Sequence, residues 1–253
     1  MHDHRKLGRE LELFDTDPMI GAGLPYWLPA GAAIRHALEE YIREVERRAG
    51  YQVEAGVPYE AEEGEAAFYG PKIDVQVADS AEREASLSTV QVDFYLPERF
   101  GLEYVGADGA RHRPVMVHRS IIGSAERAVA HLIDVHGGAF PAWLAPVQVV
   151  VLPVADAQLP AAEALAGQAV RQGLRAAVAR PESGSLGARI RVHRLVPYQA
   201  VIGAREAAEG EAALRLRDGR QVPARPVGEM LAGIGERVAE HSTELWEEAA
   251  MSV

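Results

Sequence analysis

Apolar residues recur along this chain at two spacings. Ile34, Leu38, Tyr41, Ile42 and Val45 keep the three-and-four spacing of a helix with one buried face. That helix is predicted from Pro29, whose missing N–H costs nothing in a first turn, to about Arg48, with Gly50 as its stop. Val129, Leu132, Ile133 and His136 repeat the pattern in a second helix that begins near Ser124. Alternation at a spacing of two predicts strands instead. Ile73, Val75 and Val77 follow a Gly70-Pro71 turn, a second alternating strand runs through SLSTVQVDFYLPERF, and Val115, Met116 and Val117 form a third. Asp108-Gly109 predicts a tight hairpin turn.

The pattern changes after Pro141 and Pro146, which mark a linker. VQVVVLPV is apolar throughout, as a strand buried on both faces should be. An alanine-rich helix ending at Gly173, a strand in LRAAVAR, a helix in SLGARIRVHRL and a strand in YQAVIG follow. A hairpin turns at Asp218-Gly219, and a final amphipathic helix covers 227–248. The order βαβαβββα implies a parallel or mixed sheet between helices. Two domains are expected, 1–145 and 146–253, in an α/β (α+β) chain.

The 253 residues, 48% of them hydrophobic, suffice for two modest cores. The net charge of −11 does not draw the whole molecule to nucleic acid, and DNA is not expected as a partner. The charge is uneven. Residues 1–145 carry 14 basic against 24 acidic side chains, whereas 180–225 carry nine arginines against five acids. A local basic surface is a weak pointer to a polyanion; solvated arginines are the favoured plain explanation. The absence of cysteine excludes disulfides, thiolate metal sites and cysteine nucleophiles. No apolar run reaches membrane-spanning length and the start is charged, so a soluble, cytoplasmic protein with no membrane partner is expected.

The stretch 114–144 carries the main candidate chemistry. It reads as strand, Gly123 turn, then helix, with Glu126 and Arg127 in the first turn. An arginine there opposes the helix dipole, an arrangement that suits a bound anion such as phosphate. A half-buried helix with solvated Glu126 and Arg127 is the plain alternative.

GSAERAVAHLI resembles motif 3 of class II aminoacyl-tRNA synthetases, whose arginine faces the ATP phosphates. HRKLGRELELF, WLPAGAAIRHALEEYIRE, FYGPKIDVQV, TVQVDFYLPERFGLEYVGADG, RPVMVHR and FPAWLAPVQVVVLP resemble the threonyl-tRNA synthetase family in its own order. The resemblance implies a reduced class II antiparallel-sheet catalytic domain followed by an α/β anticodon-binding domain. It implies ATP or anion contacts at Arg127, Glu126, Arg119 and Gln91, and a substrate pocket at Tyr69, Lys72 and His118. GYQVEAGVPYE, with Pro58, is similar to motif 1, which pairs subunits in the family, so a homodimer through that region is expected. In the second domain it implies tRNA contacts at Arg189, Arg191, Arg194 and Tyr198.

The departures from the family are large. Pro58 is followed almost at once by EAEEGEAAFYGPKID, so the segment with motif 2 and two zinc ligands has no counterpart there. His118 stands at the third ligand position, and a lone histidine cannot hold zinc. None of His2, His4, His112, His131 and His136 has a ligand spacing to it, so no metal site is expected. Ser86 and Ser88 replace the family's glutamine and glycine. ARPESGS lacks the usual asparagine and acid. The expectation is a tRNA-binding protein that does not charge tRNA alone and has no assigned catalytic residue. The alternatives are an ATP- or anion-binding enzyme with altered chemistry, and an accessory or dimerising subunit.

Overall fold

A computed structural model describes residues 4–16, 25–49, 64, 66–78 and 84–246. In chain order the first elements are α1 (His4–Glu10), β1 (Phe14–Thr16), β2 (Pro25–Trp27), α2 (Pro29–Ala49), β3 (Lys72–Ala78) and β4 (Glu84–Asp93). Next come α3 (Tyr95–Arg99), β5 (Tyr104–Val105), β6 (Arg111–His112), β7 (Met116–Ser120) and α4 (Ala125–His136). The remainder is β8 (Val149–Pro153), α5 (Leu159–Arg171), β9 (Ala176–Val178), α6 (Leu186–Val192), β10 (Tyr198–Ile202), α7 (Ala204–Glu209), β11 (Glu211–Leu216), β12 (Gln221–Pro226) and α8 (Val227–Ala239). These form two compact units: Met1–His4 with Leu38–Val135, and Arg5–Ala37 with His136–Val253. A single cut at 145/146 does not reproduce that division, because residues 5–37 and 136–145 join the second unit.

The first unit is built on an antiparallel sheet in the order β3-β4-β7. Lys72 lies opposite Gln91, and Gln91 opposite His118; Ile73 lies opposite Val90, and Val90 opposite Arg119. Side chains alternate between faces. One face is therefore polar, with Lys72, Asp74, Gln91, His118 and Ser120. The other carries Ile73, Val75 and Val117, which remain 71%, 53% and 59% exposed. The strand expected to run through YLPERF stops at Asp93. Its carboxylate accepts the N–H groups of Tyr95 (2.8 Å) and Leu96 (2.9 Å), which turns the chain into α3.

Helix α4 begins as expected. Ser124 Oγ accepts the Arg127 N–H at 3.3 Å. Val129 and Ile133 are fully covered, while Leu132 and His136 are half-buried. Gly123 has φ +64°, and a Cβ there would lie 2.9 Å from the Leu87 carbonyl oxygen, so the turn needs glycine. On α2, Ile34 and Leu38 are buried and Ile42 is half-buried, whereas Tyr41 is 39% exposed and so leaves the predicted buried stripe. Gly50, the motif 1-like stretch with Pro58, and His2 lie outside the described residues.

The second unit holds a five-stranded sheet in the order β12-β11-β10-β8-β9. β8 runs parallel to β9 and β10; β11 runs antiparallel to both of its neighbours, β10 and β12. All five residues of β8 are buried. Val149 and Val151 enter one core with Leu165 and Ala169 of α5 and Met230 and Ile234 of α8. Val150 and Leu152 enter another, against Leu186 and Ile190 of α6. Helices on both faces thus explain the unbroken apolar run. Each such side chain contributes roughly 1.5–3 kcal/mol by burial, so this strand anchors the domain.

Two expectations in this unit are corrected. α7 interrupts the predicted βαβαβββα order: Glu206 Oε2 accepts the Gly203 N–H at 3.0 Å, and Gly210 at φ +69° ends the helix. The last helix stops at Ala239 rather than running to 248. His241 takes φ +53° and the tail folds back, where Tyr198 Oη donates to the Leu245 carbonyl at 2.9 Å. Arg225 stacks 5.0 Å over the Trp246 ring. Burying Leu245 and Trp246 against the sheet outweighs continuing a helix whose exposed turns would bury nothing.

Candidate functional site

The polar face of the three-stranded sheet brings four of the expected pocket residues together. Tyr69 Oη donates to Gln91 Oε1. Lys72 Nζ lies 2.8 Å from Asp74 Oδ2, and this contact holds the Asp74 carboxyl below its ordinary range. His118 Nε2 lies 2.8 Å from Asp93 Oδ2, and its ring meets that of Tyr69 edge-on at 6.4 Å. Burial pushes the Asp93 carboxyl up, but the Leu96 N–H, His118 and the Tyr95 N–H together hold it below the usual carboxylate value. A charged Asp93 accepts a hydrogen bond from His118 Nε2, so Nδ1 is the nitrogen left to meet a ligand. Asp93 was not among the expected residues. Its sequence signal is an acid directly before an aromatic one-turn helix, two positions after Gln91.

The remaining ATP-type candidates do not all join this face. Arg119 alternates out of register with Gln91 and His118 and lies on the opposite face, since adjacent strand positions point apart. It is therefore removed from the pocket. Glu126 and Arg127 sit exposed in the first turn of α4, with no ion pair among the described residues.

His118 has no co-ligands in the described structure. No three His, Asp or Glu residues among the described ones form a group able to hold a metal. His112 bonds Asp108 at 2.8 Å and His4 bonds Asp134 at 3.1 Å. Among the described residues the donor set does not fit zinc, which needs at least three protein ligands.

In the second unit, Arg189 and Tyr198 are corrected from RNA contacts to framework. Arg189 is 2% exposed, and its guanidinium donates to the Ala179 carbonyl at 2.8 Å and the Gly184 carbonyl at 3.0 Å. Tyr198 is fully buried on the Leu245 carbonyl, which pushes its hydroxyl up to about 12 through desolvation. Most of the local arginine excess is internally engaged. Arg180 pairs with Glu163, Arg205 with Glu206, and Arg220 with Asp218. Arg217 donates to the Phe140 carbonyl at 2.6 Å.

Arg191 and Arg194 remain exposed at the end of α6, with no ion pair among the described residues. Arg215 was missed. It lies on β11 directly opposite Gln199, half-buried and without an ion pair among the described residues. Gln199 donates to the His193 carbonyl at 3.0 Å, closing the end of α6, while its Oε1 is buried without a partner. The alternation in EAALRLR, which sets Arg215 opposite in direction to Leu214 and Leu216, was the available signal.

Comparison with known proteins matches two domains, in order, along the chain. The class II core domain of tRNA synthetases (G, H, P, S and T) matches residues 26–136, and the anticodon binding domain matches 148–237. A threonine–tRNA ligase of Thermus thermophilus is 48% identical over 206 residues, covering 80% of this chain and 30% of that protein. One from Streptomyces avermitilis is 44% identical over 235 residues, covering 92% of this chain and 33% of that protein. The chain thus spans about a third of the length of these curated relatives. The RNA binding domain of threonyl-tRNA synthetase from Cryptosporidium parvum shares the fold, with a TM-score of 0.79 at 20% identity over 96% of this chain and 99% of that one. With both domains matched in order and threonine–tRNA ligases among its relatives, the chain belongs to the class II aminoacyl-tRNA synthetases.

Proposed function

We propose that this chain binds tRNA through its anticodon-binding domain and does not charge it unaided. The observation that carries the reading is the second domain. Its sheet and helices are complete around β8, and α6 presents Arg191 and Arg194 unpaired among the described residues. Arg215, half-buried on β11 and without an ion pair among the described residues, adds a third cation that can meet phosphate or stack on a base.

Amino-acid activation needs the attacking carboxylate and the α-phosphate held in line, with charge neutralised at both. Arg127 can meet a phosphate at the start of α4, and ATP is the proposed occupant there. Without a motif 2 arginine or a zinc site, nothing described orients the carboxylate. Losses of that kind cost several orders of magnitude in rate, at about 1.4 kcal/mol per tenfold.

Gel shifts at stated salt test the reading, comparing threonine tRNA with bulk tRNA. Preference for threonine tRNA is expected; equal binding of both counts against it. Threonine-dependent pyrophosphate exchange should be absent. Robust exchange that Arg127→Ala abolishes would establish an active enzyme instead.

A second reading, an accessory subunit, is favoured by the apolar surface of the first unit. Phe68, Phe94, Tyr95, Phe100 and Tyr104 are between 42% and 85% exposed. At about 200 Å² each, together they leave roughly 600 Å² of aromatic surface uncovered. Light scattering of the purified chain separates a dimer or heteromer from a monomer.

A further inference from the structure

We infer that a cleft beside β1 and β2 binds a short apolar peptide with free ends, a di- or tripeptide zwitterion. The cleft has a volume of about 730 Å³, within the range of ligand sites. Phe14, Leu28 and Pro146 contribute apolar wall, and Arg9, Glu12 and Asp15 bring charge of both signs. It lies in the second unit, and only residues 28–30 of its lining fall within either matched domain. The chemistry of those domains therefore does not account for it, and the inference is independent of the tRNA reading.

Three observations make this a built site. The first is a rigid floor. Leu13 is fully buried, its N–H donates to the Gly8 carbonyl at 2.8 Å, and its carbonyl accepts the Leu28 N–H at 3.1 Å. A Cβ on Gly8 would lie 2.2 Å from the Phe14 ring, and one on Gly31 would lie 1.9 Å from the Leu13 carbonyl oxygen. The Gly31 contact is with backbone, so only glycine permits that approach.

The second is Glu12, which holds φ +52°. A non-glycine residue in that conformation costs roughly 1–2 kcal/mol, a cost glycine would avoid. The conformation belongs to the cap that ends α1, where the Leu13 N–H reaches the Gly8 carbonyl and the Glu12 N–H the Arg9 carbonyl, and it leaves Glu12 in the cleft lining.

The third is charge. Arg9 and Glu12 share the cleft, yet neither forms an ion pair among the described residues. Among the described residues, Asp15 Oδ1 accepts the adjacent Thr16 N–H, at 2.8 Å, and forms no ion pair. Opposite charges left unpaired on an apolar cleft suit a ligand that supplies both complements. An α-carboxylate meets Arg9, an α-ammonium meets Glu12 and Asp15, and apolar side chains meet the wall. A nucleoside triphosphate is disfavoured, because its anionic groups would face two carboxylates.

Titration calorimetry on the purified full chain tests this, with the dipeptide Leu-Phe as probe. Saturable one-to-one binding is expected. It should weaken at least tenfold for N-acetyl-Leu-Phe, for Leu-Phe-amide, for Gly-Gly and for free leucine. Arg9→Met should weaken it at least tenfold. So should Glu12→Gly, a variant that relieves the backbone strain and so keeps its fold, while threonine tRNA binding stays unchanged in both. No saturable binding of Leu-Phe, equal binding by either variant, or equal binding of any blocked or shortened probe overturns the inference.

Discussion

Arg189→Met separates a framework arginine from an RNA-binding one. The guanidinium donates to two carbonyls, Ala179 at 2.8 Å and Gly184 at 3.0 Å, from a side chain only 2% exposed. Charged donors of this kind are worth about 1.5–3 kcal/mol each. Gly184 is exposed and its carbonyl can rehydrate, whereas Ala179 is buried and its carbonyl is left without a donor. The net loss should be about 3 kcal/mol. For a chain of this size that lowers the melting midpoint by roughly 6–12 °C. Circular dichroism melts give the midpoint, and filter binding of tRNA between about 50 and 200 mM salt gives the affinity and its salt slope. At a temperature where both proteins are folded, Arg189→Met should bind tRNA within about twofold of the parent with an unchanged slope. Arg191→Ala with Arg194→Ala should do the reverse, keeping the midpoint and flattening the slope by about 0.7–0.9 for each phosphate no longer neutralised. A variant Arg189→Met that melts like the parent but loses tRNA would refute the framework assignment.

Tyr198→Phe should cost about 1–3 kcal/mol, since the buried Leu245 carbonyl loses its donor; urea denaturation measures it. Burial raises the Tyr198 hydroxyl to about 12 against about 10 unfolded. Its contribution, on the order of 2.7 kcal/mol for that gap, is complete below pH ~10 and lost as pH rises through about 12. Alkaline unfolding should therefore be shallower in Tyr198→Phe than in the parent. His193 is depressed by burial and then by Arg189. Its neutral form is favoured by folding, so stability is complete above the unfolded value near ~6.5 and falls as pH drops below it; His193→Gln should flatten that limb of a pH–stability curve. Gly233→Ala would place a Cβ 2.9 Å from the Trp246 ring. It should displace the folded-back tail, read as a red shift in tryptophan emission.

The amino-acid sequence by itself determined the elements whose burial follows from local periodicity. β8 is apolar at every position and is covered on both faces; α4 carries its three-and-four stripe and buries Val129 and Ile133. The Gly123 turn and the Ser124 cap were legible because only a few residue types satisfy those backbone positions. Tertiary structure decided which polar side chains remain available. Arg189 and Arg191 are two residues apart on one short helix, yet one is buried on carbonyls and the other exposed. Nothing in a run of alternating arginines distinguishes them before β9 and the Gly184 turn are in place. Arg119 left the pocket for a similar reason. Its face depends on which strand neighbour pairs with Gln91, a register that only the assembled sheet sets. The Asp93–His118 pair joins residues 25 apart, and the last helix ended early because Leu245 and Trp246 found cover on distant strands. Local pattern reports what a segment can bury; packing between distant segments determines what it does bury, and hence which charges are left to face a partner.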